Sequence, residues 1–463
     1  MLTPFESPAP AVTPPLDPAF RPFALALRSF ERECRRAGAV PFRVALERTD
    51  GHVFRRDAVL LPPSHPAASA NARFAERLVK FLLWSRGGCR ALCCGPAELV
   101  SALARHYERT AAGRFDAAMA ERIFDRPFEV VRASDLPDAE EPSRSLGRHT
   151  DGCRIGFDLG GSDRKVASVV DGEVVFSDET AWDPYFQADP AYHYEGVRDS
   201  LRRAAEHLPR VDAIGGSAAG VYVENRVKVA SLFRGVSPED FEAHVADMFL
   251  RLGGEFGVPL EVVNDGEVTA LAGSMALGVD RVLGLSLGTS TAAGYVARGG
   301  GITHWLNELA FAPVDLRPDA PLDEWSKDRG CAVQYLSQQA VARLLPVAGI
   351  AAEEDEPLPS RLERLQDLAR RGDERASKVY ETIGVYLGYA IAGFLDFYDA
   401  GHVLVLGRVT SGPGGEEILS AARRVLEREF PEFASAVSLV VPDERTKRHG
   451  QAIAAASLPA LGA

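Results

Sequence analysis

A carboxylate at the end of an apolar strand, followed at once by two glycines and a hydroxyl, is a combination that can handle phosphate. It occurs at Asp158-Leu159-Gly160-Gly161-Ser162. The glycine pair leaves no Cβ in the way of a ligand, and its N–H groups with the Ser162 hydroxyl can donate to phosphate oxygens. Asp158 is placed to hold a metal ion or a water beside that phosphate. A plain structural turn accounts for the same residues, so the stretch alone leaves both readings open.

A second copy strengthens the first. Val282 begins an apolar strand that runs into Leu287-Gly288-Thr289-Ser290, then a strand, the Gly299-Gly300-Gly301 turn and another strand. In the first copy the corresponding hairpin turn is Asp171-Gly172, a strong short-range hairpin signal. Two such units, one per half, predict a duplicated α/β fold whose glycine turns face each other across a cleft and hold one polyphosphate.

Between the copies, the strand at 259–263 delivers Asn264-Asp265. An alcohol is a poor nucleophile until a base takes its proton, and a carboxylate at a buried strand end can be held within reach of it. Asn264 can both donate and accept, and so fix an orientation. Asp265 is equally adequate as the N-cap of a helix beginning near Gly266, and the two roles are compatible.

The elements that must position these residues follow from periodicity and punctuation. Residues 1–21 are rich in Pro and Ala and are expected to be a flexible lead-in. Residues 22–135 read as an N-terminal α/β domain: helix 22–37, strands 42–47 and 52–59, helix 71–85, strand 89–94, helix 97–107. Residues 136–153 are polar and read as a linker. The first half, 154–275, holds a helix at 194–208, a strand at 211–214, and one helix over 237–252 opened by Ser237-Pro238. The second half, 276–444, is mainly helical, with strands at 403–407 and 437–441, and a closing helix at 445–458 is expected to return to the first half.

With 463 residues, 46% hydrophobic and 25% charged, the chain has the composition of a globular protein of two or three domains. Acidic residues outnumber basic ones by 65 to 52, a formal charge of −13, which argues against a nucleic-acid partner. No run approaches the ~18 apolar residues of a membrane span, and no signal peptide is evident, so a cytoplasmic location is expected. Six cysteines show no CxxC pair. Cys89, Cys93 and Cys94 lack metal-ligand spacing and read as packing residues.

The two glycine turns resemble the phosphate-one and phosphate-two motifs of the actin-like ATPase superfamily, and Asn264-Asp265 resembles the catalytic turn of the ROK (repressor, ORF, kinase) sugar kinases. The resemblance runs from near Arg154 to the C-terminus. It implies a duplicated actin-like (ribonuclease H-like) fold of two lobes around a cleft, behind a small N-terminal domain, and a homodimer. It also implies ATP and Mg2+ as cofactors and phosphoryl transfer to a sugar hydroxyl. By the same resemblance Asp265 is the general base, Asn264 and Glu308 orient the sugar, Gly216 and Ser217 line its pocket, and Asp158 holds Mg2+. Gly160, Gly161, Ser162, Gly288, Thr289 and Ser290 take the phosphates, and Gly407, Arg408 and Gly412 fall on the adenosine motif.

The departures from the family pattern are specific. Glu308 matches the acid of a Glu-x-Gly-His motif, but Ala310 and Phe311 replace the Gly and the His. Cys331 matches the last thiolate of the family's zinc motif, while Glu324 and Ser326 stand where two cysteines belong, so no structural zinc is expected. Ala332-Val333 replaces a further sugar-binding acid, which implies a substrate held differently from glucose in a typical member. Arg408 would either stack on the base or crowd it. A sugar- or nucleotide-sensing protein without turnover is the alternative, and an ATPase with an interaction domain is a third. A repressor is disfavoured because no basic recognition helix opens the chain.

Overall fold

Asp50-Gly51 turns the chain sharply, Gly51 adopting φ +87°, so that Val40–Glu47 (β1) and Val53–Leu60 (β2) pair antiparallel. In this computed structural model, which describes residues 8–140, 146–353, 355–441 and 444–461, β1 also pairs antiparallel with Arg90–Cys94 (β3), and β3 pairs parallel with Glu129–Arg132 (β4). The four strands lie in the order β2-β1-β3-β4. Helices Phe23–Ala37 (α1), Ala70–Arg86 (α2), Ala97–Arg109 (α3) and Ala111–Phe124 (α4) complete this part. Neither α4 nor β4 was expected. No Gly or Pro separates α3 from α4; Thr110 ends one by donating to the His106 carbonyl and caps the other by accepting from the Gly113 N–H.

Two further sheets repeat one plan. The first contains Cys153–Leu159 (β5), Asp163–Val170 (β6), Glu173–Ala181 (β7), Ala213–Ala218 (β8) and, beyond the small hairpin Val221–Val223 (β9) and Arg226–Val229 (β10), Leu260–Asn264 (β11). Its order is β11-β8-β5-β6-β7. The second has the order β13-β12-β14-β15, from Val282–Leu287 (β12), Thr291–Val296 (β13), His402–Leu406 (β14) and Ser438–Val440 (β15). In each, the leading strand pairs antiparallel with the next and parallel with a later one, β5 with β6 and β8, β12 with β13 and β14. The third strand expected in the second copy does not form. Ile302 makes only isolated bridges, to Val296 and to Leu146, so the edge is shared with a buried residue of the segment expected as a linker.

The helices of the first lobe are Pro190–Ala205 (α5), the single turn Pro238–Asp240 (α6), Met248–Phe256 (α7) and Asp265–Leu277 (α8). One helix over 237–252 was expected; instead Ser237 caps α6, the chain widens into a π turn over Phe241–Val245, and α7 starts afresh. In the second lobe come Gln338–Val347 (α9), Leu358–Arg370 (α10), Glu374–Leu395 (α11), Pro413–Glu429 (α12) and Pro431–Ala436 (α13), and Glu444–Ala456 (α14) closes the chain. α14 lies against β5, β8 and α8. It approaches so closely that a Cβ on Gly156 or Gly215 would sit 2.1 Å from the Ala452 carbonyl oxygen or 1.7 Å from that of Ala455. Buried Arg154 donates to the carbonyls of Ala456 and Pro459.

The N-terminal part and the second lobe share one core. Phe81 stacks on Phe397 at 4.1 Å and lies 6.2 Å from Phe23. The stretch expected as a flexible lead-in joins that core, with Val12 and Leu16 packed half-buried against it. Phe20 is fully buried among Tyr335, Tyr386 and Tyr389, and Asp17 accepts from the Tyr386 hydroxyl at 2.6 Å and pairs with Arg317. Prolines hold this stretch extended, and the aromatic and acidic side chains between them anchor it. No helix among the described residues is long and apolar enough to cross a membrane.

Candidate active site

Asn264 ends β11 and caps α8. Its side-chain oxygen accepts from the Gly266 N–H at 2.8 Å, and its amide donates to the Gly220 carbonyl at 2.7 Å. The capping expected of Asp265 thus falls mainly to its neighbour, and Asp265 occupies the first helical position. Glycines bring that helix start against the β12–β13 hairpin. A Cβ on Gly266 would lie 2.6 Å from the Ala293 carbonyl oxygen, and one on Gly294 would lie 2.3 Å from that of Gly266. Asp265 therefore stands where the two lobes meet.

Three carboxyl groups influence one another at this junction. Burial, and secondarily the charge of Asp158, pushes Asp265 up to about 6. Burial, and then the charge of Asp265, pushes Glu308 up to about 7. Asp158 is also raised by burial, against the pull of the Ser217 hydroxyl, which donates to it at 2.7 Å. Lys165, opposite Asp158 in the β5–β6 register and bonded to Asp163 at 3.0 Å, is the cation acting on Asp158. A base poised near neutrality is what proton abstraction from an alcohol requires.

Glu308 is fixed from both sides. The Asn307 and Glu308 N–H groups donate to the carbonyls of Ser85 and Trp84 in the last turn of α2, at 3.0 and 2.9 Å. The Asn307 side chain donates to Glu267 at 2.5 Å and accepts from the Tyr398 hydroxyl at 2.7 Å. Glu267, one helical step beyond Gly266, also accepts from the Tyr295 N–H. Its burial outweighs these bonds and pushes it up to about 8. Glu267 and Asn307 were not anticipated; an acid two residues after Asp265 carries no distinctive spacing.

A buried ionic cluster braces this arrangement. Lys80 of α2 pairs with Asp116 of α4 at 2.9 Å and with Asp328 at 3.1 Å; Arg77 pairs with Asp328 at 2.8 Å and with Glu76. The Trp84 indole N–H donates to Asp116 at 2.9 Å. Burial alone would raise Asp328, but Arg77 and Lys80 hold it far below the usual carboxylate range. The residues do not fit the structural zinc that the family pattern would imply. Cys331 has Ser326 Oγ at 3.7 Å as its polar neighbour, Glu324 is exposed, and Phe311 is packed between Trp84 and Phe115. A single thiol with no imidazole does not make a tetrahedral site. Among the described residues no group of three His, Cys, Asp or Glu is arranged to hold a metal.

The glycine turns have different local causes. Gly160 donates to the Asp163 carbonyl and accepts from the Trp182 indole. At Gly161 a Cβ would collide with the Tyr185 hydroxyl at 2.0 Å, so that glycine makes room for a side chain of its own lobe. Ser162 is exposed and donates to Asp163. In the second turn Thr289 and Ser290 are exposed, and the Gly288 carbonyl accepts from the N–H of Gln338 at 2.9 Å. The N-terminus of α9 therefore abuts this turn, its next N–H, of Gln339, being capped by the Ser337 hydroxyl at 3.0 Å. The Gln338 side chain is buried there with neither end of its amide hydrogen-bonded among the described residues.

Gly407 (φ +96°) follows β14 so close to the second turn that a Cβ there would lie 2.4 Å from the Leu287 carbonyl oxygen. Gly412 (φ +75°) caps α12 facing open space, and Arg408 is exposed. Gly216 and Ser217 are corrected: both lie buried within β8, Gly216 against the Phe157 ring and Ser217 on Asp158. β8 continues further than expected because its small residues fit under α14. The turn that reaches the junction is 219–220, between β8 and β9, which supplies the Gly220 carbonyl to Asn264.

No protein-family model matches the sequence, and comparison with curated proteins finds no match. Solved structures do match. A ROK hexokinase from Thermus thermophilus aligns with 66% of this chain and 96% of its own at 20% identity, TM-score 0.51. A Listeria monocytogenes protein described as an N-acetylmannosamine kinase aligns with 66% and 97% at 15% identity, TM-score 0.50. A ROK-family transcriptional regulator aligns with 83% and 95% at 17% identity, TM-score 0.48. Across the two repeated sheets and their helices, the chain has the duplicated α/β fold of the ROK sugar kinases, an actin-like ATPase fold.

Proposed function

We propose that this protein is an ATP- and Mg2+-dependent kinase that transfers the terminal phosphoryl group to a hydroxyl of a sugar or sugar derivative. The observation that carries the reading is Asp265: a carboxyl at the lobe junction, pushed up to about 6 by burial and by Asp158, beside a second half-buried acid, Glu308. Asp265 takes the proton of the attacking hydroxyl as its oxygen bonds to the γ-phosphorus. The bond from that phosphorus to the bridging oxygen breaks, and ADP leaves with the electron pair. Glu308 and the remaining amide proton of Asn264 hold neighbouring hydroxyls of the acceptor.

N–H groups of Gly161, Ser162, Thr289 and Ser290 and the side-chain amide of Gln338 receive the phosphates, while Gly160 and Gly288 shape the turns through their own N–H bonds to the Asp163 and Ser290 carbonyls, and Gly407, Arg408 and Gly412 stand at the nucleoside end. When bound with ATP, Mg2+ supplies charge neutralisation on the β- and γ-phosphates. Asp158 fits that ion: it is a half-buried carboxylate with one oxygen held by Ser217, and Mg2+ takes one or two carboxylates plus phosphate and water oxygens.

The test is ADP release from MgATP with a panel of hexoses, amino sugars, pentoses and polyols, beside Asp265→Asn. Sugar-dependent turnover that the variant loses by about three powers of ten or more supports the kinase and its base. A sensor that binds without turnover is the second reading, favoured by Phe311 and Val333, which offer no hydrogen bond to a sugar. Binding of ATP or sugar by calorimetry, with no turnover on any acceptor, replaces the kinase by the sensor.

A further inference from the structure

Trp325 is 69% exposed, whereas Trp84 and Trp182 are buried and Trp305 is half-buried. A lone exposed aromatic on a loose loop needs no explanation, but this one is neither. Its turn is tied at both ends: Ser326 donates to the Asp323 carboxylate through N–H and hydroxyl at 2.7 and 2.6 Å, Lys327 N–H donates to the Asp323 carbonyl, and Asp323 N–H to that of Asp328. Asp328 is in turn held by Arg77 and Lys80. The indole stacks at 17° on Phe311, 6.5 Å between centroids, and the Phe311 N–H donates to the Glu308 carbonyl. Half-buried Phe115 and Met119 of α4, with Leu306, continue the apolar strip.

An aromatic face held rigidly against the ring of Phe311, three residues beyond Glu308, is a stacking platform for a second ring. We infer that the acceptor is a glycoside, a disaccharide or an aryl glycoside: its first ring presents a hydroxyl to Asp265 beside Glu308, and its second ring stacks on Trp325. This rests on the kinase reading above. It also accounts for the apolar residues that replace polar sugar contacts at Phe311 and Val333, because affinity moves from hydrogen bonds on the first ring to contact with the second.

The experiment compares kcat/KM from MgATP for hexoses with those for their phenyl glycosides and disaccharides, in the native protein, Trp325→Ala and Trp325→Phe. The expected result is at least tenfold preference for one glycoside over its parent hexose. Trp325→Ala should lower kcat/KM at least tenfold more for that glycoside than for the hexose, mainly through KM, and Trp325→Phe should keep most of the preference. Equal losses on both substrates, no preference, or a change only in subunit assembly on ultracentrifugation overturns it, the last assigning Trp325 to a contact between copies. If no sugar is phosphorylated, the kinase reading fails, and quenching of Trp fluorescence by phenyl glycosides and disaccharides decides the subsite alone. Saturable quenching that Trp325→Phe abolishes supports it, and a flat titration overturns it.

Discussion

Lys80 and Asp116 meet at 2.9 Å with both side chains wholly out of solvent, and the same ammonium reaches Asp328 at 3.1 Å. The pair joins two helices of the N-terminal part to the loop that presents Cys331 and Trp325, and α2 also grips Glu308 through backbone carbonyls. The N-terminal part is thereby built into the site. Removing one partner of a buried pair leaves an uncompensated charge, which costs about 3–5 kcal/mol. Lys80→Met is expected to lose that much stability by urea denaturation, and adding Asp116→Asn, which keeps an acceptor for the Trp84 indole N–H, should restore part of it, since Asp328 keeps Arg77. A loss below about 1 kcal/mol in the single variant would show the cluster to be idle.

Gly294 has a narrower task. A methyl group there would meet the Gly266 carbonyl oxygen at 2.3 Å and the Glu267 Cα at 2.6 Å, both backbone atoms of the helix that carries Asp265. Gly294→Ala must push that helix start away from the hairpin. Overpacking of this kind costs about 1–3 kcal/mol, and turnover should fall far more than a melting shift of that size implies. Gly254 of α7, whose Cβ would meet nothing within 4 Å, is the control: Gly254→Ala should leave turnover unchanged and raise stability by at most about 1 kcal/mol, as alanine does inside a helix.

Much of this was legible because the signals were local. Asp158, Gly160-Gly161 and Gly288 recur in a strand-turn-strand order that periodicity exposes, and Asn264-Asp265 sits where a strand gives way to a helix. The repeated sheets followed from that duplication. What stayed hidden depends on pairs far apart in the chain. Lys80, Asp116 and Asp328 come together from three segments, and each alone resembles a solvated charge. Gly216 and Ser217 looked like a loop because small residues mark turns; instead Gly216 makes room for the Phe157 ring and Ser217 bonds Asp158, while their neighbour Gly215 admits α14. Phe20 shows the same failure in the lead-in, where proline suggested mobility and one buried ring supplied an anchor.

Glu267 makes stability depend on pH with a definite sign. Its carboxyl is pushed up to about 8 in the folded chain, against about 4.3 for an exposed glutamate. The folded state therefore holds the proton more tightly. Its contribution is fully present below the unfolded value and is lost as pH rises through the folded one, with a slope of at most about 1.4 kcal/mol per pH unit. Glu267→Gln should flatten the decline between about pH 5 and 8, whatever its absolute stability. Melting temperatures measured across that range check this, and an unchanged slope in the variant would place the titration elsewhere.

The base carries the last prediction. Asp265 must be ionised to accept a proton, so kcat/KM for the best acceptor should fall on the acid side with an apparent pKa near the value of about 6 that burial and Asp158 impose. Asp158→Asn removes the second of those causes. It should slow the reaction by taking away a cation ligand, and separately it should move the acid limb to lower pH, because Asp265 then ionises more easily. The two effects are distinguishable, since loss of a ligand lowers the plateau without moving the limb. Glu308→Gln should leave the limb assigned to Asp265 in place and remove the second ionisation near 7, which burial and then the charge of Asp265 place there. A rate that does not vary with pH in the native protein, or a limb that stays fixed in Asp158→Asn, would take the role of base away from Asp265.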